Sequence, residues 1–132
     1  MSKMGCECGN ILSDFVYPCP TEAMVIGEQD LEFVEMSFQS QVENFLVAVR
    51  DHCREAWLVE QFGTNYPMDC SDAEVISDLL TRAQNPYVLS ITECESCGRL
   101  HVQTSPESNK YLSFAPDIPG YHRLLACKPK GG

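Results

Sequence analysis

The chain has 132 residues, 44% of them apolar and 21% charged, which is the size and composition of a single globular domain. Nineteen acidic residues against nine Lys and Arg give a formal charge of −10. That balance argues against nucleic acid as the main ligand, because phosphate binding needs dense positive charge, and it suits a basic protein partner better. No apolar stretch reaches the length of a membrane span. No basic segment followed by an apolar run marks an export signal, so the expectation is a cytoplasmic protein without membrane contact.

In chain order, the first feature is Cys6-Glu7-Cys8-Gly9-Asn10, expected on a tight turn leading into Ile11, Leu12 and the segment Asp14–Tyr17. Pro18 and Pro20 interrupt regular structure. Ala23–Ile26 reads as a short strand ended by Gly27. Then Leu31, Val34, Phe38, Val42, Phe45, Val49, Cys53 and Ala56 follow at steps of three or four, one face of a long helix. Asp30 is the expected cap and Gly63 the expected end, with a kink or break placed near Ser37–Ser40 because the run is so long. A second apolar set lies off that seam: Val47, Leu58 and Phe62, with Trp57 beside it. Two readings stand for this set. The helical segment folds back and buries both stripes against the sheet, or the second stripe is a protein-binding or homodimer face anchored by Trp57 and Phe62.

After a loop over Gly63–Cys70, Ser71-Asp72-Ala73-Glu74 matches a capping box for a helix carrying Val75, Ile76, Leu79, Leu80 and Ala83, which stops before Asn85-Pro86. The period then alternates: Tyr87, Leu89 and Ile91 share one face of a strand that runs into Cys94-Glu95-Ser96-Cys97-Gly98-Arg99-Leu100. Leu100–Thr104 and Tyr111–Ala115 form a predicted hairpin across the polar Ser105–Asn109 loop. The tail, Leu124-Leu125 and then Lys128–Gly132, is expected to fray. The fold class is α+β: one domain over 1–132, with a small antiparallel sheet from about 1–29 and 86–116 and a helical insertion over about 30–84.

Cys6, Cys8, Cys94 and Cys97 carry the chemistry. In a chain with no export signal the thiols stay reduced, and close pairs followed by glycine favour a metal over a disulfide. Four thiolates fill the tetrahedral shell of a structural Zn2+, and iron is the rival ion. Gly9 and Gly98 permit the positive φ that turns backbone amides toward sulfur. Cys19, Cys53, Cys70 and Cys127 are scattered and read as small apolar side chains. His101 is a possible substitute ligand, but on a strand it is expected at a surface. His52 beside Cys53 makes no nucleophile–base pair, because neighbouring helical positions diverge by about 100°. His122 has no visible partner.

With these residues the chain resembles the zinc-ribbon family, which sets paired Cys-x-x-Cys-Gly knuckles at the tips of β-hairpins. It also resembles small bacterial proteins with Cys-x-Cys-Gly near the start and Cys-x-x-Cys-Gly-Arg-Leu late in the chain. The first knuckle departs by having one residue between its thiols, and 85 residues separate Cys8 from Cys94. The resemblance therefore implies a split ribbon interrupted by helices.

No phosphate-cradling glycine loop, Gly-x-Ser-x-Gly or His-Glu-x-x-His occurs. A closed four-thiolate site has no open position for a substrate. The leading expectation is a non-enzymatic interaction protein with a structural zinc, of the immunity or antitoxin type that binds a basic protein. The alternatives are a ribbon module contacting nucleic acid or transcription machinery, and a thiol-dependent enzyme using Cys19 or Cys70.

Overall fold

A computed structural model describes residues 3–13, 19–120 and 123–125. Asp14–Tyr17, Pro18, His122, Cys127 and the tail over Lys128–Gly132, where fraying was the expectation, lie outside the described residues. The element order is β1 (Lys3–Gly5), β2 (Ile11–Ser13), β3 (Glu22–Val25), α1 (Glu28–Arg50), α2 (Arg54–Phe62), α3 (Asp72–Gln84), β4 (Leu89–Glu93), β5 (Leu100–Gln103) and β6 (Tyr111–Phe114). This is an α+β fold, with three helices and two antiparallel sheets among the described residues. It divides into two compact units, Met1–Val25 with Val88–Gly132, and Ile26–Tyr87.

The sheet unit holds a β1–β2 hairpin, with Gly5 opposite Ile11, and a four-stranded sheet in the order β3-β4-β5-β6. Pairing in register puts Ala23, Ile91, Val102 and Leu112 on one rung and Glu22, Thr92, His101 and Ser113 on the next. Successive rungs face opposite ways, so the first is an apolar face and the second a polar one. The strand before the second knuckle and the hairpin after it lie where the alternating pattern put them. Glu93 is buried at the end of β4, and its carboxylate accepts the backbone N–H groups of Leu124 (2.6 Å) and Leu125 (3.0 Å).

The helical unit is built around Phe45, Leu58, Val75 and Leu79, each at most 1% exposed, with Phe38, Val42, Val49, Trp57, Phe62 and Ile76 packed against them. The main apolar seam therefore points inward from Val34 to Val49, while Leu31 at its start is exposed. The kink or break expected near Ser37–Ser40 is corrected: the helix runs on through those residues and breaks at Asp51–Cys53. His52 takes a left-handed φ of 61°. Its N–H donates to the Val49 carbonyl (3.2 Å), and that of Cys53 donates to Ala48 (2.8 Å). Those two bonds make a Schellman cap in which histidine stands where glycine is usual. The cap turns Cys53 and Ala56 off the seam, and both are exposed. Asp30 is not the cap of α1, since Gly27 holds that position. Gly63 does end α2, at φ 94°.

Two arginines stitch the helical unit from within. Arg54 donates to Asp72 (2.9 Å), Met68 O (2.9 Å) and Cys70 O (2.6 Å), fixing the loop before α3. Arg82 donates to Gln61 O (2.9 Å) and to the side chains of Gln61 and Gln41 (both 3.0 Å). The Ser71 capping box is present in full, with Glu74 N–H donating to Ser71 Oγ (3.1 Å). No helix among the described residues is long and apolar enough to cross a membrane.

Candidate metal centre

The β1–β2 turn and the β4–β5 turn each present two thiols. In the first, Cys6 N–H donates to Asn10 O (2.9 Å) and Gly9 N–H to Cys6 O (2.9 Å). In the second, Cys94 N–H donates to Arg99 O (2.8 Å) and Gly98 N–H to Cys94 O (2.8 Å). The two turns thus share one bonding scheme. The first closes it with one residue fewer, and the missing residue falls between the thiols. That is the physical account of Cys-x-Cys beside Cys-x-x-Cys. Gly9 and Gly98 take φ values of 95° and 81°, where a side chain is strained.

The two turns bring the Sγ atoms of Cys6, Cys8, Cys94 and Cys97 within 4.8 Å of one another. Cys6 to Cys97 and Cys8 to Cys94 both measure 3.6 Å. Four thiolates bound to one tetrahedral ion at about 2.3 Å sit about 3.8 Å apart, so these sulfurs fit a single ion. All four are free thiols. Cys94 is fully buried and Cys6 nearly so, among Leu12, Met4 and Cys97, while Cys8 faces solvent.

Hydrogen-bond donors converge on the sulfurs. Asn10 Nδ2 donates to Cys94 Sγ (3.6 Å) and Arg99 Nη1 to Cys97 Sγ (3.7 Å). Arg99 Nη2 also stands 3.5 Å from Glu7 of the opposite turn, a partly exposed pair of small energetic weight. The Arg99 backbone N–H is the main reason the Cys97 thiol falls to about 6. Burial pushes the Cys94 thiol up, but the N–H groups of Cys97 and Ser96 and the Asn10 amide outweigh it, and the net shift is downward. Burial dominates at Cys6 and pushes it up to about 12. Four sulfurs this close cannot all be anionic unaided, so protons collect on one while its neighbours ionise. A divalent cation removes that conflict, and the converging donors hold the thiolates in place.

The matching family is a domain of unknown function, DUF8617, aligned over residues 2–118. The chain belongs to the DUF8617 family. Both knuckles and every helix and strand among the described residues fall inside the DUF8617 match. No curated protein and no solved structure matches the chain.

Within this DUF8617 fold the four cysteines singled out by spacing are the ones brought together. His101 is not among them. Contrary to the surface position expected for a strand histidine, it is 5% exposed, and its Nε2 has no hydrogen-bond partner among the described residues. The candidate interaction face is corrected at Leu58, which is fully buried because the Schellman turn rotates α2 onto Phe45 and Leu79. Trp57 tilts against Phe45 at 5.3 Å and Phe62 stacks on Tyr66 at 4.3 Å, both half-buried, as is Val47. Sequence reasoning missed Asn10 and Arg99 as supports of the site. Each directly follows a knuckle glycine, and that shared place was the available signal.

Proposed function

We propose that this DUF8617 chain is a non-enzymatic binding protein in which a structural zinc ion clasps two hairpin turns and the acidic helical unit engages a basic protein. An immunity- or antitoxin-like role, masking a cationic partner in a reducing cytoplasm, is the form that fits best. The observation that carries the metal reading is the four-sulfur cluster, within 4.8 Å and closed by cysteine alone. Zinc suits it because zinc takes four thiolates tetrahedrally without redox chemistry, and amide donors already point at the sulfurs. The facing turns on hairpins are what a split zinc ribbon would present. Four protein ligands leave no position for substrate, which supports a structural rather than a catalytic ion.

The charge distribution supports the partner. Twelve of the nineteen acidic residues but only three of the nine Lys and Arg lie in Ile26–Tyr87, so this unit carries −9 of the net −10. Elemental analysis of protein purified without added metal tests the clasp. One zinc per chain, lost in the Cys94→Ser variant and kept in Cys53→Ser, is the expected result. Iron in its place, or full metal content in Cys94→Ser, overturns the zinc clasp.

A further inference from the structure

The solvent side of α1 combines two features that ordinary solvated helices keep apart. The first is uncompensated charge. Glu28, Glu32, Glu35 and Glu43 all stand exposed ahead of the helix's only cation, Arg50, in its last turn. Glu28 and Glu32 are four residues apart and Glu32 and Glu35 three, so like charges stack on neighbouring turns, an arrangement that weakens a helix. The unit's other two arginines do not relieve it, since Arg54 and Arg82 are committed to the hydrogen bonds with Met68, Cys70, Asp72, Gln41 and Gln61.

The second feature is exposed apolar surface inside that acidic field. Phe33 is 56% exposed, one side of its ring stacked on Tyr87 at 6.4 Å, and Met36 is 60% exposed. At about 100° per residue, Met36, Glu32 and Glu43 point away from the buried row Val34, Phe45 and Ala48, with Phe33 on their flank. Helix stability alone gives no reason for these side chains to stand in water. Leu58 is buried, so this face replaces the one read from the Trp57 stripe.

We infer that the outward face of α1 docks a cationic amphipathic helix of a partner protein. Phe33 and Met36 would fill its apolar side, and Glu28, Glu32, Glu35 and Glu43 would meet its lysines or arginines. The inference rests on the basic-partner reading above and assigns that partner a place. Charge complementarity selects the occupant. A second copy of this chain brings another −10, and a nucleic acid or anionic membrane is likewise repelled.

The test uses the full-length, metal-loaded protein and three probes: an amphipathic helical peptide of Lys and Leu, poly-lysine, and the same peptide with Glu in place of Lys. Amide chemical shifts and titration calorimetry are read in parallel. The expected result is binding of the Lys/Leu peptide alone at moderate salt, with shifts confined to residues 28–47. Its Kd weakens about tenfold in Phe33→Ser/Met36→Ser. A similar loss is expected in Glu32→Gln/Glu35→Gln/Glu43→Gln, together with a flatter salt dependence. All five positions are exposed, so circular dichroism of the variants stays that of the parent. Shifts on the β-strands, or unchanged Kd in both variants, overturn the α1 face while the basic-partner reading stands. Equal binding of poly-lysine, insensitive to Phe33→Ser/Met36→Ser, reduces the face to a counter-ion sink and overturns the docking site. Failure of every cationic probe to bind overturns the basic-partner reading itself. Sedimentation that shows a dimer broken by Met36→Asp assigns the face to a second copy and overturns the heterologous partner.

Discussion

Removing the metal should loosen the chain by an amount set by the length of the loop it closes. Cys8 and Cys94 are 86 positions apart. An ion bound to both turns in the denatured chain closes a loop of that size, and the lost entropy is worth about 4.6 kcal/mol at 25 °C. For a chain of this length about 1 kcal/mol moves the thermal midpoint by about 3–5 °C, so chelation should lower it by about 14–23 °C. An ion released on unfolding behaves differently. Stabilisation then follows the free metal concentration, and the midpoint climbs with added metal. The helical unit supplies a separate probe, because Trp57 is the chain's only tryptophan and packs against Phe45. Amide exchange at Leu89–Glu93 and Leu100–Gln103 reports the sheet, and Trp57 fluorescence reports the helices. The expected outcome is a large loss of protection in β4 and β5 on chelation, reproduced by Cys94→Ser and absent from Cys53→Ser. Unchanged β4 and β5 protection after verified metal removal would refute the clasp argument.

Three other outcomes follow from the packing and the turns. Leu58→Ala should destabilise the helical unit by about 2–5 kcal/mol in a thermal or urea melt followed by Trp57, because the side chain is fully buried; a loss under 1 kcal/mol would return Leu58 to the surface. Burial, with help from the Arg99 charge, holds His101 below its ordinary value of 6.5. The folded value lies under the unfolded one, so the stability tied to neutral His101 is complete above about 6.5 and lost as pH falls through the depressed value; His101→Phe should flatten that acid limb in sheet-unit melts. Gly9→Ala puts a side chain at φ 95° with nothing nearby to clash, so it should weaken metal retention against a competing chelator through backbone strain alone, worth about 1–2 kcal/mol; unchanged retention would show that the turn tolerates the residue.

The sequence was most legible where a local rule left few alternatives. Paired thiols before glycine marked all four cluster sulfurs, although Cys8 and Cys94 are 86 positions apart. Ser71 and Glu74 marked the start of α3, and alternation marked β4 and the β5–β6 hairpin. The helical break was not legible because its cap is a histidine in left-handed backbone, and no glycine or proline announces the turn. β1 has three residues, too short for any period to show. The depth of Leu58 depended on that unseen turn. Val34 through Val49 supply the inward row on α1, but the buried residue on α2 is off their period by the angle the cap introduces.

The register at the foot of the sheet has a mechanical consequence. Val25, the last residue before the helical unit, pairs with Leu89, the second residue after it. Both ends of the helical unit therefore leave through one rung of neighbouring antiparallel strands. A partner that pulls on the helices therefore loads the adjacent ends of β3 and β4 together and in the same sense. The cysteine turns lie at the other end of β4, beyond Glu93, so they are the last part of the ladder to feel such a pull.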